Sequence, residues 1–256
     1  MPIVNVLSRE ELEKLFQNKD SETYQYVKML SDAPYVRALG HKPKILENMA
    51  LSSKHGNPTR LLPRKVKEMI ASAISMFNNC EYCITSHTGI LKGLYRLTDE
   101  ELVELACVVG HINGLDFLEK TASLGLILSS ECVDEGLLSE VRDDFGEIPG
   151  FMKMLCHDPE LFRIIWDREK VTMQEGKIDR GVKDLIAFYI SASNSCTDNA
   201  RVRLRRVEQS GIKIEAVLEG ISVAERFHKN TKITSGLLLE TTTDELLVMR
   251  EHKDQL

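Results

Sequence analysis

Lys67-Glu68-Met69-Ile70-Ala71-Ser72-Ala73-Ile74-Ser75-Met76-Phe77-Asn78-Asn79-Cys80-Glu81-Tyr82-Cys83-Ile84-Thr85-Ser86-His87 is the stretch that decides how this chain is read. With Val66 just before it, the apolar residues Met69, Ile70, Ala73, Ile74 and Phe77 fall at intervals of three and four, the mark of one face of an amphipathic helix. Pro63 suits the start of that helix. Asn78-Asn79 predicts its end and, at Asn79, the cap of a second helix running from Cys80 to about Lys92, where Gly93 suits the stop. The second helix opens with two thiols three residues apart and carries a histidine four residues after the second thiol. Positions four apart share a helix face, so His87 is expected over Cys83.

Working outward, the same helical grammar recurs. Thr98-Asp99-Glu100-Glu101 reads as a capped start before the apolar face Leu102, Leu105, Ala106 and Val109, and Ser8-Arg9-Glu10-Glu11 reads as a capping box. Few runs show strand alternation. The Cys-x-x-Cys therefore has no βαβ setting, and a thioredoxin fold is not expected. The fold class read from the sequence is all-α.

The window also repeats at an offset of 116 residues. Lys67, Ile70, Ala71, Ile74, Ser75, Asn78 and Cys80 recur as Lys183, Ile186, Ala187, Ile190, Ser191, Asn194 and Cys196. Pro43 matches Pro159 and Leu102 matches Leu218. This predicts an internal duplication into two tandem helical units, 1–148 and 149–256, divided at Gly146-Glu147-Ile148-Pro149-Gly150. In the second copy Glu68 becomes Asp184, Cys83 becomes Asn199 and His87 becomes Arg203, so only Cys196 survives. A lone thiol cannot close an internal disulfide. The second unit is expected to be structural, standing in for a partner subunit, and a sensor role for Cys196 beside Arg203 is the alternative.

The chain has 256 residues, 43% hydrophobic and 28% charged, with a net charge of −6. That balance suits a globular protein and argues against a general role on nucleic acid or an anionic membrane. The first ten residues show no basic region followed by an apolar core, and no apolar run is long enough to span a bilayer. Lys253-Asp254-Gln255-Leu256 faintly resembles a retrieval tail of the endoplasmic reticulum, but without a signal it reads as coincidence. The expected location is cytoplasmic, where a Cys-x-x-Cys reads as redox-active or metal-binding.

The residue chemistry points the same way. Helix N-termini favour negative charge, and an imidazolium beside a thiol favours the thiolate. Glu68, twelve residues before Cys80, can fold back to orient His87 or relay a proton through water. Glu68, Cys80, Cys83 and His87 at this spacing resemble the signature of the AhpD-like alkylhydroperoxidases, within the carboxymuconolactone decarboxylase superfamily. The likeness covers most of residues 33–130 and, more weakly, 149–240. It implies an all-helical, homo-oligomeric enzyme without cofactor: a thiol-dependent peroxidase that reduces a hydroperoxide. It further implies that Cys83 attacks, that Cys80 resolves, and that Glu68 and His87 form a proton relay. Electrons would come from a dithiol reductant, either a lipoyl-bearing protein or a thioredoxin-like one. The best-studied members carry a histidine between the cysteines where this chain has Glu81-Tyr82, and a carboxylate beside Cys80 is expected to oppose its thiolate.

Three alternatives stand beside this reading. A Cys2His zinc module would use Cys80, Cys83 and His87 with Glu68 or Glu81. A non-catalytic binding or stress-regulatory scaffold would keep only the fold. Decarboxylation of a lactone belongs to a branch that does not rely on the Cys-x-x-Cys. Elsewhere the plain readings hold. Cys107, Cys132 and Cys156 are expected to be buried core thiols, and His111 a satisfied core histidine. The run Arg201-Val202-Arg203-Leu204-Arg205-Arg206 is expected to form a solvated or salt-bridged face rather than a nucleic-acid site. His41, His55, His157, His228 and His252 show no ligand spacing, and there is no Gly-rich phosphate loop.

Overall fold

A computed structural model describes residues 4–17, 21–56, 60–125 and 134–237. These residues form thirteen α-helices and no strand, so the all-α expectation holds. Contacts divide the chain into two compact units, Met1–Leu97 with Leu218–Leu256, and Thr98–Val217.

The first unit contains α1 (Arg9–Phe16), α2 (Ser21–Met29), α3 (Pro34–Leu39), α4 (Pro43–Gly56), α5 (Arg64–Phe77) and α6 (Glu81–Gly93). The capping box at Ser8 and Glu11 starts α1 as read. Pro63 is the N-cap of α5. Leu12, Phe16, Val27, Val36, Leu46 and Met49 form a core that also includes Cys80, Tyr82 and Cys83, so the thiol pair sits inside the hydrophobic centre of the unit.

The second unit contains α7 (Asp99–Ser123), α8 (Glu135–Phe145), α9 (Gly150–Met154), α10 (Pro159–Met173), α11 (Arg180–Ser193) and α12 (Thr197–Gln209). Thr98 and Glu101 form the second capping box read from the sequence. The last helix, α13 (Ile214–Gly236), begins at the end of this unit and from Leu218 onward belongs to the first.

The helices α4, α5 and α6 start 116 residues before α10, α11 and α12. The assignment to units does not follow that order. Each unit joins the helical hairpin of one repeat to the long closing helix of the other: α5 and α6 with α13, and α11 and α12 with α7. The halves 1–148 and 149–256 are therefore not the compact units. The Gly146–Gly150 stretch is the turn between α8 and α9 within the second unit, where Gly146 adopts φ 75° as the C-cap.

One buried contact set marks the equivalence. In the first unit Lys67 Nζ donates to Gly56 O at 2.9 Å and pairs with Glu219, which also accepts from the Leu61 amide. In the second, Lys183 Nζ donates to Thr172 O at 3.1 Å and pairs with Glu104, which accepts from the Ile178 amide. Glu104 and Glu219 lie 115 residues apart, so the closing helices align one residue off the sequence repeat that matched Leu102 with Leu218.

Candidate active site

α5 and α6 pack as a hairpin, and the turn between them sets the site. Asn78 is the C-cap of α5. Asn79 takes a left-handed backbone, φ 53°, which Asn tolerates better than most residues. The Cys80 amide then donates to Ser75 O at 3.1 Å. Cys80 itself, not Asn79, is the N-cap of α6, which makes Cys83 the third helical residue. The second copy repeats the turn, with Ser195 at φ 59° and the Cys196 amide on Ser191 O.

The sulfurs of Cys80 and Cys83 lie 2.6 Å apart, and the residues are 1% and 4% exposed. The two sulfurs share one hydrogen bond. That hydrogen bond brings Cys80 down to about 6 against the opposition of burial, and the Cys83 amide and the Ser235 hydroxyl assist. The same bond pushes Cys83 strongly up, and burial adds to it. The pair therefore holds one proton, with the thiolate on Cys80. Glu81 is exposed at the start of α6, and Cys80 is lowered despite it. The expected opposition from that carboxylate is not what governs the thiol.

Glu68 folds back onto α6. His87 Nδ1 lies 2.9 Å from Glu68 Oε2. A carboxylate only accepts, so Nδ1 carries the hydrogen. The imidazole edge packs on the Phe227 ring with centroids 4.5 Å apart. Tyr82, between the two cysteines, is buried edge-on to Tyr35 at 5.8 Å. The structure thus gathers Glu68, Cys80, Cys83 and His87 into one unit. It adds four residues that the sequence reading missed, Arg226, Phe227, Thr234 and Ser235, all on α13. The side chains of Thr234 and Ser235 act on Cys83 and Cys80 respectively. No local pattern marks them; they lie more than 130 residues from the motif in sequence.

The second unit has a polar cluster at the equivalent place. Arg203 donates to Asp184 at 3.3 Å across the same nineteen-residue separation as His87 and Glu68. It is wholly buried and makes two bonds of 2.7 Å to Glu169. Burial opposes the charge on Glu169, but Arg203 holds it well below the usual range. Arg206, also buried, adds a 2.9 Å bond to Glu169. His111 Nε2 donates to Glu169 at 2.7 Å while Nδ1 accepts from Arg168, so the satisfied-core reading of His111 fits. Asn199 donates to Asp116 at 2.7 Å, and the Cys196 thiol to Asp116 O at 3.4 Å. Burial, then Asp116, raise Cys196 to about 12, the direction opposite to that of an activated thiol.

Other cysteines differ from expectation. Cys107 is exposed, and Cys156 is buried but disulfide-bonded rather than a free thiol. Cys132 and His252 lie outside the described residues. The arginine run is also not a solvated face throughout: Arg201 and Arg205 pair with Glu147 near the surface, but Arg203 and Arg206 are core residues. Among the described residues, no group of three or more His, Cys, Asp or Glu side chains is arranged to hold a metal ion. No described helix is long and apolar enough to cross a membrane.

Comparison with known proteins agrees with this architecture. Residues 48–116, from within α4 to within α7, match the carboxymuconolactone decarboxylase family. The crystal structure of a "putative gamma-carboxymuconolactone decarboxylase subunit" from Burkholderia xenovorans LB400 shares the fold. It has a TM-score of 0.57 and 17% identity, over 97% of each chain. No curated protein matches the chain in sequence. The resemblance read from the motif thus agrees with a family match over residues 48–116 and with a shared all-helical fold over the whole chain.

Proposed function

We propose that this chain, with that fold, is a dithiol oxidoreductase that reduces hydroperoxides at Cys80 and Cys83. The observation that carries the reading is the direct contact of the two sulfurs beside the Glu68–His87 pair. In the first step Cys83 gives its proton to His87 and attacks the peroxide. The S–O bond forms, the O–O bond breaks, and the departing alkoxide takes a proton from His87 to leave as alcohol. The Cys80 thiolate then attacks the Cys83 sulfenic acid, closing the disulfide and releasing hydroxide, which is protonated to water. An external dithiol reduces that disulfide by exchange and is itself oxidised. A lipoyl-bearing or thioredoxin-like protein is the proposed donor.

The relative's name points to decarboxylation of a lactone. We place the chemistry at the dithiol instead, because the contacting thiols are an arrangement that decarboxylation does not need. One observation favours the scaffold reading: the near-complete burial of both thiols. We further read the repeated contacts as a duplicated unit with exchanged closing helices, and we propose a cytoplasmic homo-oligomer.

The test is steady-state consumption of hydrogen and alkyl hydroperoxides with dihydrolipoamide or thioredoxin. Turnover should fall roughly a thousandfold or more in Cys83→Ser. No turnover with any peroxide and donor would leave the scaffold, and undiminished turnover in Cys83→Ser would remove the proposed nucleophile.

A further inference from the structure

A histidine whose Nδ1 hydrogen meets a carboxylate at 2.9 Å is drawn toward the imidazolium form. An imidazolium cannot take a thiol proton. Something in the first unit has to balance Glu68 if His87 is to be a base near neutrality.

The structure holds a cation in that place. Arg226 is 8% exposed. Its guanidinium carbon lies over the Phe227 ring, 5.2 Å from the centroid, and the same ring packs on His87 at 4.5 Å. Guanidinium and imidazole are thus no more than about 10 Å apart, both against one apolar ring, and Arg226 itself is buried. A methyl added at Gly56 would meet Arg226 Nη1 at 3.8 Å, so the end of α4 closes another side. Burial pushes Arg226 below its ordinary value, and Tyr26, Glu68, Tyr35 and Glu225 draw it back up.

We propose that Arg226 is a positioning residue that keeps His87 neutral beside Glu68 and so able to accept a thiol proton. The titratable groups near the pair include Tyr26 on α2, Tyr35 on α3, Glu68 and Arg64 on α5, and Cys83 on α6, with Glu225 beside Arg226 on α13 and Tyr95 beyond α6. Of these, Arg226 is the cation buried against the ring that His87 touches. The inference deepens the proposed reaction by naming what sets the charge of its base.

The experiment is an NMR titration of the His87 side chain in the reduced full-length protein. Loss of a cation at this distance in a partly buried setting should raise the His87 midpoint by roughly one pH unit in Arg226→Met. Arg226→Lys should stay within a few tenths of wild type, and Glu68→Gln should move the midpoint the opposite way. A role confined to packing would lower the melting temperature of Arg226→Met without moving the midpoint, and that result would overturn the proposal. Should Arg226→Met not fold, Arg226→Gln is read by the same criterion. The titration reads the imidazole, not turnover. An absence of peroxidase activity would count against the proposed reaction and would leave this assignment decided on its own data.

Discussion

At the thiol pair Cys80 is drawn below its ordinary value, and that shift has a consequence for stability. The folded chain releases its Cys80 proton near 6, against 9.0 for an unperturbed thiol. Between those values the unfolded chain binds a proton that the folded chain does not, so folding gains stability as pH rises from about 6 to 9. The gain is complete above the unfolded value and is lost as pH falls through the folded one. Cys83, raised rather than lowered, works in the other direction only above the unfolded value. Denaturation of reduced wild type and Cys80→Ser at pH 6 and 8.5 should show a gap that widens with pH; a constant gap would mean that Cys80 is not the thiolate. The sequence made the presence of an activated thiol legible but not its address. It looked to His87 and Glu81, the neighbours along the helix, whereas the governing partner is the other thiol. A choice between two sulfurs depends on which one occupies the cap position, and the turn at Asn79 put Cys80 there, one residue off the expected register.

At the scale of the element, α6 and α12 show one helix carrying two solutions. α6 places an imidazole on a carboxylate near a thiol pair, while α12 places a buried guanidinium on two carboxylates. Once Arg203 is wholly buried its charge must be matched, and Glu169 and Asp184 do so. Arg203→Met would leave both carboxylates in the core without their main partner. The expected loss is about 3–5 kcal/mol, read from urea or guanidinium denaturation. Arg201→Ala removes an exposed pair with Glu147 and should cost about 0–1 kcal/mol. Equal effects would refute the division into core and surface arginines. The run 201–206 hid this division because four arginines in six residues read as a wet face. The alignment of α12 with α6 was legible from the 116-residue offset that matched Cys80 with Cys196. Which arginines turn inward depends on Glu169 and Asp184, supplied by other helices.

For the whole molecule, the 116-residue spacing of the helices was legible in sequence and the grouping of α13 with α5 and α6 was not. α7 has apolar or small residues on nearly every side, among them Val103, Ala106, Val109, Ile112 and Phe117, so no single face declares a partner. That grouping explains why a site read from α5 and α6 is finished by α13. It also separates the cysteines by fate, and that separation can be measured. Cys107 is exposed and should react with iodoacetamide in the native protein. Cys80 has the thiolate but little access, so its labelling should be slow and should titrate near 6. Cys196, buried and raised to about 12, should label only on unfolding. Peroxide applied before labelling should remove Cys80 and Cys83 together, joined to each other by mass, and leave Cys196 as it was. Labelling of native Cys196 at neutral pH would show that the second unit keeps an open thiol site. The cluster around Asp116 and Glu169 would then not be the sealed replacement that its hydrogen bonds describe.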